Sequence, residues 1–437
     1  MSLFGTDGVR DVANSGNMRP EVVLKVGRAY GFWLKEEKER PLVVVGRDTR
    51  LSGYSLVSAL IAGILSSGCD VVDVGVLSTP GISLLVRELK ADGGAVVSAS
   101  HNPYEYNGVK FFNRFGEKLS SEEEAVIEGK IDEYRDLPTG IYIGKLYKLD
   151  PKEYYLPFLL KIAQGVKLDG LKVVVDGANG ALFEIAPLVF ESLGAEVIKV
   201  GCDPDGININ AGVGSTSPGE MVSAVVREEA YIGFAFDGDG DRVVVSDSRG
   251  MIADGDVILY LAASKLKPKA VVGTVMSNLG LEEVLSSLKI GFVRVPVGDK
   301  WVYEELKKRE LPLGGEPSGH IIFRPEVCTG DGLVTALKVL SFGESVEYYI
   351  DSFPRYPQRV WNIKVKDKNK VASSAVLREE VEKISESWQK TLRIIVRPSG
   401  TEPIFRVMVE GKDPMLVDKI GLRLVQLISS IDEEASE

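Results

Sequence analysis

The sequence predicts an α/β protein: three similar α/β domains with mixed sheets, followed by a smaller C-terminal α+β domain. Three observations carry this. A strand-helix-strand unit recurs three times, the last stretch of chain has a different pattern, and 437 residues, 44% hydrophobic and 26% charged, are too many for one ordinary core.

The first unit runs PLVVVGRD (Pro41 to Asp48), the helical LVSALIAGILSSG (Leu56 to Gly68) and CDVVDVGVLSTP (Cys69 to Pro80). The second is LKVVVDGANG, FEIAPLVFESLG and AEVIKVGCDPDG, from Leu171 to Gly206, and the third KAVVGTVMSN, LEEVLSSLK and GFVRVPVGDK, from Lys269 to Lys300. In each, an amphipathic run ends near a glycine or polar residue before a β-branched run, the punctuation of a βαβ crossover. Each copy has enough surrounding chain to build its own core, unlike a solenoid repeat. The fourth region alternates differently: WNIKVKD, a helical stretch through Glu379 to Trp388, TLRIIVRPSG, FRVMVEG and a final amphipathic helix. The expected domains are 1–150, 151–250, 251–350 and 351–437.

Composition narrows the function. A net charge of -11 argues against a nucleic-acid partner, because the phosphate backbone would meet a repelling field without a clustered basic face. Cys69, Cys202 and Cys328 are odd in number and lack C-x-x-C spacing, so neither a disulfide framework nor a zinc site is indicated. MSLFGTDGVRD has acids and glycines where a signal peptide needs a basic and then an apolar run, and no apolar run reaches membrane length. The expectation is a cytoplasmic protein with no membrane partner.

FDGDGDR, Phe236 to Arg242, offers Asp237, Asp239 and Asp241 at i, i+2 and i+4, with glycines between them that permit a tight path around a hard cation. An EF-hand also begins D-x-D-x-D, but it needs glycine at its sixth position and glutamate at its twelfth, where this chain has Arg242 and Ser248. Magnesium, which completes its shell with water or phosphate oxygens, fits such an incomplete set. The competing explanation is an Asp/Gly turn between two strands.

VVSASHNP, Val96 to Pro103, places Ser100 and His101 just beyond a buried strand, where α/β proteins put their chemistry. An Asn107-Gly108 turn would then bring Lys110 back towards the serine as a proton carrier or phosphate partner. RPSGTEP offers Arg397, Ser399, Gly400 and Thr401 as a phosphate nest, with Arg406 on the next strand as a helper; a plain Pro/Gly turn is the alternative. In GGEPSGH, Glu316 and Ser318 can exchange hydrogen bonds with vicinal hydroxyls, and the carboxylate can also favour an amino group. His320 closes that motif.

SASHNP, DGDGD, GGEPSGH and RPSGTEP occur in this order in the α-D-phosphohexomutase family, which the chain resembles over nearly its whole length. The resemblance implies a phosphorylated Ser100, magnesium held by Ser100, Asp237, Asp239 and Asp241, sugar recognition by the Glu316 loop, and a substrate phosphate gripped by the Arg397 loop. It adds Arg10, Arg242 and Lys300 as positive lining, Lys110 as general base, and His101 and His320 as its supports. The partner implied is a small hexose phosphate, with a sugar 1,6-bisphosphate as intermediate and activator. FGTDGVR and the GGExSGH form most resemble the glucosamine branch, for which a homodimer is implied. Asp11 after Arg10, and Pro317 in the sugar loop, depart from the branch pattern, so relatives acting on glucose or mannose phosphates stay open. A magnesium-dependent phosphatase and a non-catalytic sugar-phosphate sensor are the rivals from other classes. One motif in each region implies a central cleft, with the fourth region as a lid that excludes water.

Overall fold

The computed structural model describes residues 3–5, 7–133, 135–388, 392–398 and 404–433. The described residues form three mixed sheets and one antiparallel sheet, and all three expected βαβ crossovers are present with parallel strand pairs. The chain separates into two compact units, one of Met1–Ser277 with Leu288–Ser352 and the other of Asn278–Ser287 with Phe353–Glu437.

In the first unit, the six-stranded sheet runs Val9–Val12, Tyr106–Asn113, Gly93–Val97, Leu42–Arg47, Asp70–Val76, Leu146–Lys148. Its central strands carry Val43, Val44, Val45, Val96 and Val97 at 0% exposure, as expected of strands covered on both faces. The second sheet runs Ile252–Ala253, Val243–Ser246, Ile232–Phe236, Lys172–Asp176, Glu196–Val200, and the third Gly291–Val295, Ala270–Thr274, Leu313–Gly315, Ile321–Phe323. In the second unit, Ile404–Gly411 is flanked by Gln358–Lys364 and Leu392–Pro398, all antiparallel. The helices Ala375–Ser387 and Pro414–Glu433 contribute Leu377, Ile384, Val417, Leu424 and Ile428 to the core of this small sheet.

One local expectation is corrected. Asn107 and Gly108 do not form a turn; both lie inside the strand Tyr106–Asn113. Pairing on two sides overrides their turn propensity, since Asn107 and Gly108 face Asp11 and Arg10 on one neighbour and the Ser98 amide donates to the Gly108 carbonyl on the other. The reversal falls earlier, in the segment after Ser100, and Lys110 still returns alongside it, opposite Val96.

Candidate active site

The aspartate loop connects Ile232–Phe236 to Val243–Ser246, which pair antiparallel. The Gly240 amide donates to the Asp237 carbonyl at 3.0 Å, closing a tight turn, and Gly240 then takes φ +73, a conformation glycine adopts without strain. Asp237, Asp239 and Asp241 are all buried, with ligand oxygens within 4.8 Å of one another. Asp237 Oδ2 accepts from Ser100 Oγ at 2.6 Å, and Asp239 Oδ2 accepts from Lys110 Nζ at 2.8 Å and Thr79 Oγ1 at 2.5 Å. Oδ1 of Asp239 and Oδ1 of Asp241 are buried without a hydrogen-bond partner. Two orphaned carboxylate oxygens in a three-acid cluster fit a hard divalent cation, because buried polar atoms are costly unless paired.

The electrostatics divide the acids. Burial, then repulsion from Asp241 and Asp239, pushes the Asp237 carboxyl well above its usual range. Burial works the same way on Asp239, but Lys110 and Thr79 outweigh it and hold that carboxyl low. Lys110 is itself 2% exposed and 3.0 Å from Asp7 and 3.6 Å from Asp241; burial disfavours its charge, yet Asp239 and Asp7 keep it an ammonium. The candidate base is therefore stored in its acid form.

Ser100 is 1% exposed and adopts φ +52, uncommon for a residue with a Cβ. His101 Nδ1 lies 3.4 Å from Ser100 Oγ, and burial, then Arg242 and Arg10, lower the imidazole to about 4, so it is neutral near pH 7. The serine and aspartate loops touch closely: a Cβ on Gly238 would stand 2.6 Å from the Ser100 carbonyl oxygen. Glycine at 238 thus permits this approach.

Arg10 pairs with Asp7, and Arg242 Nε lies 3.8 Å from Asp241. Burial opposes both charges, but Asp7 with Asp239 and Asp241 sustains Arg10, while Asp241 with Asp237 and Glu316 sustains Arg242. Glu316 Oε1 accepts the Gly298 amide at 3.1 Å, and burial raises its carboxyl. Ser318 is exposed on the hairpin connecting Leu313–Gly315 to Ile321–Phe323. His320 Nε2 accepts the Gly330 amide at 3.2 Å and lies 3.5 Å from Asp299 and 3.9 Å from Asp241, so both histidines stand near the aspartate and serine loops. Lys300 Nζ is occupied by Ser121 at 3.0 Å and Glu124 at 3.1 Å.

Motif reading missed a second layer of charge. Lys118 bridges Asp7, at 2.7 Å, and Asp299, linking three distant segments. Asp48 and Arg50 are completely buried beneath the Ser100 loop. Their signal was available: charged residues in GRDTR directly follow a buried valine run, at the strand end where α/β sites form.

Arg397 and Arg406 lie in the second unit, directly opposite one another in the antiparallel ladder. Two guanidinium-bearing residues at one cross-strand position suit a bound anion. Ser399, Gly400 and Thr401 lie outside the described residues.

Models of the phosphoglucomutase/phosphomannomutase α/β/α domains I, II and III match residues 1–137, 153–250 and 254–348, and that of the family's C-terminal domain matches 361–426. The chain belongs to this family. Family membership makes it an enzyme of the phosphohexose mutase class. It is 46% identical to the phosphoglucosamine mutase of Pelotomaculum thermopropionicum over 98% of this chain and 99% of that one. With the phosphoglucosamine mutase of Bacillus velezensis it shares 44% over 97% and 98%. Among solved structures, a phosphoglucomutase/phosphomannomutase family protein from Burkholderia thailandensis matches with a TM-score of 0.82 at 26% identity, covering 98% of both chains. Among the described residues no helix is long and apolar enough to cross a membrane.

Proposed function

We propose that this enzyme interconverts glucosamine 6-phosphate and glucosamine 1-phosphate through a phosphorylated Ser100 and a 1,6-bisphosphate intermediate. One observation carries the reading: the Ser100 hydroxyl donates to Asp237 inside a buried three-carboxylate cluster, with Lys110, Arg10 and Arg242 around it. The likeness to two phosphoglucosamine mutases over nearly the whole chain supports the amino sugar as substrate.

Asp237, Asp239, Asp241 and the oxygen on Ser100 would hold Mg2+, which when bound neutralises charge on the oxygens of the phosphoryl group. Phospho-Ser100 gives its phosphoryl group to the free O1 or O6 of the sugar: the Ser100 Oγ–P bond breaks, the sugar O–P bond forms, and the sugar hydroxyl releases a proton. Lys110, held as an ammonium, donates a proton to Ser100 Oγ; the amine left behind is the base that takes up the sugar's proton. Neutral His101 keeps Ser100 Oγ oriented, and His320 stands beside Asp241 as a proton partner. Arg10 and Arg242 balance the phosphoryl charge. The bisphosphate then turns over and returns its other phosphoryl group to Ser100.

Glu316 and Ser318 are assigned to the sugar hydroxyls, with the Glu316 carboxylate facing the ammonium. Lys300, released from Glu124, and the segment Arg397 to Thr401 with Arg406 are assigned to the substrate phosphate. That phosphate pocket must accept either end of the sugar, so it reads the phosphate rather than the ring.

Phosphorus NMR of glucosamine, glucose and mannose 6-phosphates, with Mg2+ and a trace of sugar bisphosphate, tests the assignment. Wild type should form glucosamine 1-phosphate fastest, and Ser100→Ala should form no 1-phosphate. A faster reaction with glucose or mannose would reassign the substrate, and release of inorganic phosphate as the main product would replace the mutase with a phosphatase.

A further inference from the structure

The left-handed Ser100 is held from below by a buried guanidinium that the reaction scheme leaves unused. Arg50 has 0% exposure, and each of its nitrogens is engaged. Nε donates to Asp48 Oδ2 at 2.8 Å, Nη2 to the carbonyls of Ser100 at 2.8 Å and Asn102 at 2.9 Å, and Nη1 to that of Pro103 at 2.5 Å. Asp48 also accepts from Ser98 Oγ at 2.6 Å, and the Ser100 amide donates to that same Ser98 oxygen at 3.0 Å. These bonds close a ring through Arg50, Asp48, Ser98 and Ser100. On a different segment, Asn210 Nδ2 reaches the same two carbonyls, Ser100 at 2.9 Å and Asn102 at 3.1 Å.

We propose that Arg50, with Asn210, is a positioning residue for phosphoryl transfer, fixing the Ser100 loop through its carbonyl oxygens so that Oγ stands at the aspartate cluster. The proposal rests on the reading of Ser100 as the phosphoryl carrier. Carbonyls committed to Arg50 cannot rotate towards a dianion on Oγ, where their negative ends would oppose it. Asp48 cancels the guanidinium charge, so the clamp sets geometry without drawing the phosphoryl group away from its own cations. Lysine cannot substitute: a single ammonium presents its donors from one point and cannot serve a carboxylate and three separate carbonyls.

The test compares wild type, Ser100→Ala, Arg50→Lys and Asn210→Ala for melting temperature, phosphate on Ser100 by intact mass, and kcat and KM for the hexose phosphate. Arg50→Lys should lower kcat about 100-fold, the scale of a roughly 1 Å misplacement, while KM changes less than about twofold and sugar bisphosphate still phosphorylates Ser100. Asn210→Ala, which leaves the buried ion pair intact, should lower kcat of the folded enzyme about tenfold, beyond the modest fall in melting temperature expected because Asn210 takes φ +58, which Ala disfavours. Wild-type kcat in Arg50→Lys with phosphate still on Ser100 would overturn the clamp alone. So would a kcat loss that only follows the loss of folded protein. If Arg50→Lys does not fold, Asn210→Ala decides by the same kcat criterion. Wild type without phosphate on Ser100, together with an active Ser100→Ala, would instead overturn the reading of Ser100 and the proposal with it.

Discussion

Ser100 Oγ and Asp237 Oδ2 meet at 2.6 Å although 137 positions separate them in the chain. The bond joins a would-be phosphoryl carrier to a carboxylate of the cluster whose ionisation burial and like charges oppose. Asp237→Asn should lower apparent Mg2+ affinity about 100-fold or more, since affinity follows the number of charged ligands, and lower turnover with it. With metal stripped by EDTA the order of stability should reverse: the variant relieves carboxylate crowding and should melt above wild type. Metal titration and melting curves with and without EDTA check both effects, and an unchanged metal affinity would remove the cluster from the mechanism.

Gly238→Ala tests the contact between the two loops. The added Cβ would meet the Ser100 carbonyl oxygen at 2.6 Å and Asn210 Nδ2 at 2.8 Å, both backed by buried structure. Overpacking of this kind costs about 1–3 kcal/mol, and displacement of the Ser100 carbonyl should lower kcat more than it raises KM. A variant with normal kcat would show that the loops separate without consequence.

The fold was largely legible because its signals are local. Val43–Val45 and Val173–Val175, each followed by a helical period and a second β-branched run, specify a crossover wherever they occur. The aspartates and Ser100 were legible for a similar reason: their spacing and residue types carry chemistry within a few positions. Lys118, Asp7 and Asp299 were not, since 111 and 181 positions separate Lys118 from its partners and nothing beside any one of them announces the others. Asn107-Gly108 failed in the opposite direction, where a strong local turn signal yielded to pairing with Val9–Val12.

Lys118→Met should expose the cost of that hidden bridge. Burial opposes the Lys118 ammonium, but Asp299 and Asp7 hold it firmly charged. Removing the cation leaves two half-buried carboxylates without it, although Arg10 and Lys110 still face Asp7. For a half-buried bridge the loss should fall between that of a surface pair and a fully buried one, about 1–3 kcal/mol. Chemical denaturation measures it, and a loss below about 1 kcal/mol would mean that the bridge is screened as a surface pair is.

Arg397→Gln should separate binding from stability. Arg397 sits opposite Arg406 in the ladder, so removing one of two like charges at this cross-strand position should not lower the melting temperature. A lost charge-assisted hydrogen bond to phosphate, worth about 1.5–3 kcal/mol, should raise KM for the hexose phosphate about tenfold or more. Unchanged KM would move the phosphate site elsewhere.

Asp331 supplies a pH signature beside the aspartate loop, where the neighbouring Gly332 amide donates to the Gly240 carbonyl at 3.0 Å. Its Oδ1 caps the helix Gly332–Ser341 by accepting the Val334 amide at 3.0 Å, and its Oδ2 accepts from Tyr155 Oη at 2.8 Å. Burial outweighs these bonds and raises the carboxyl from an ordinary 3.8 to about 6. Between those two values the folded chain binds the proton more tightly than the unfolded chain does. The contribution to stability is therefore fully present below about pH 4 and is lost as pH rises through 6, amounting to about 3 kcal/mol. Asn at 331 keeps an oxygen for the cap and offers Tyr155 Oη a donor while removing the titration. Relative to Asp331→Asn, wild type should thus lose stability between pH 4 and 6 and then run parallel to it above pH 7. Denaturation curves across that range decide the point, and a difference independent of pH would mean that Asp331 ionises in the folded protein as readily as in the unfolded chain.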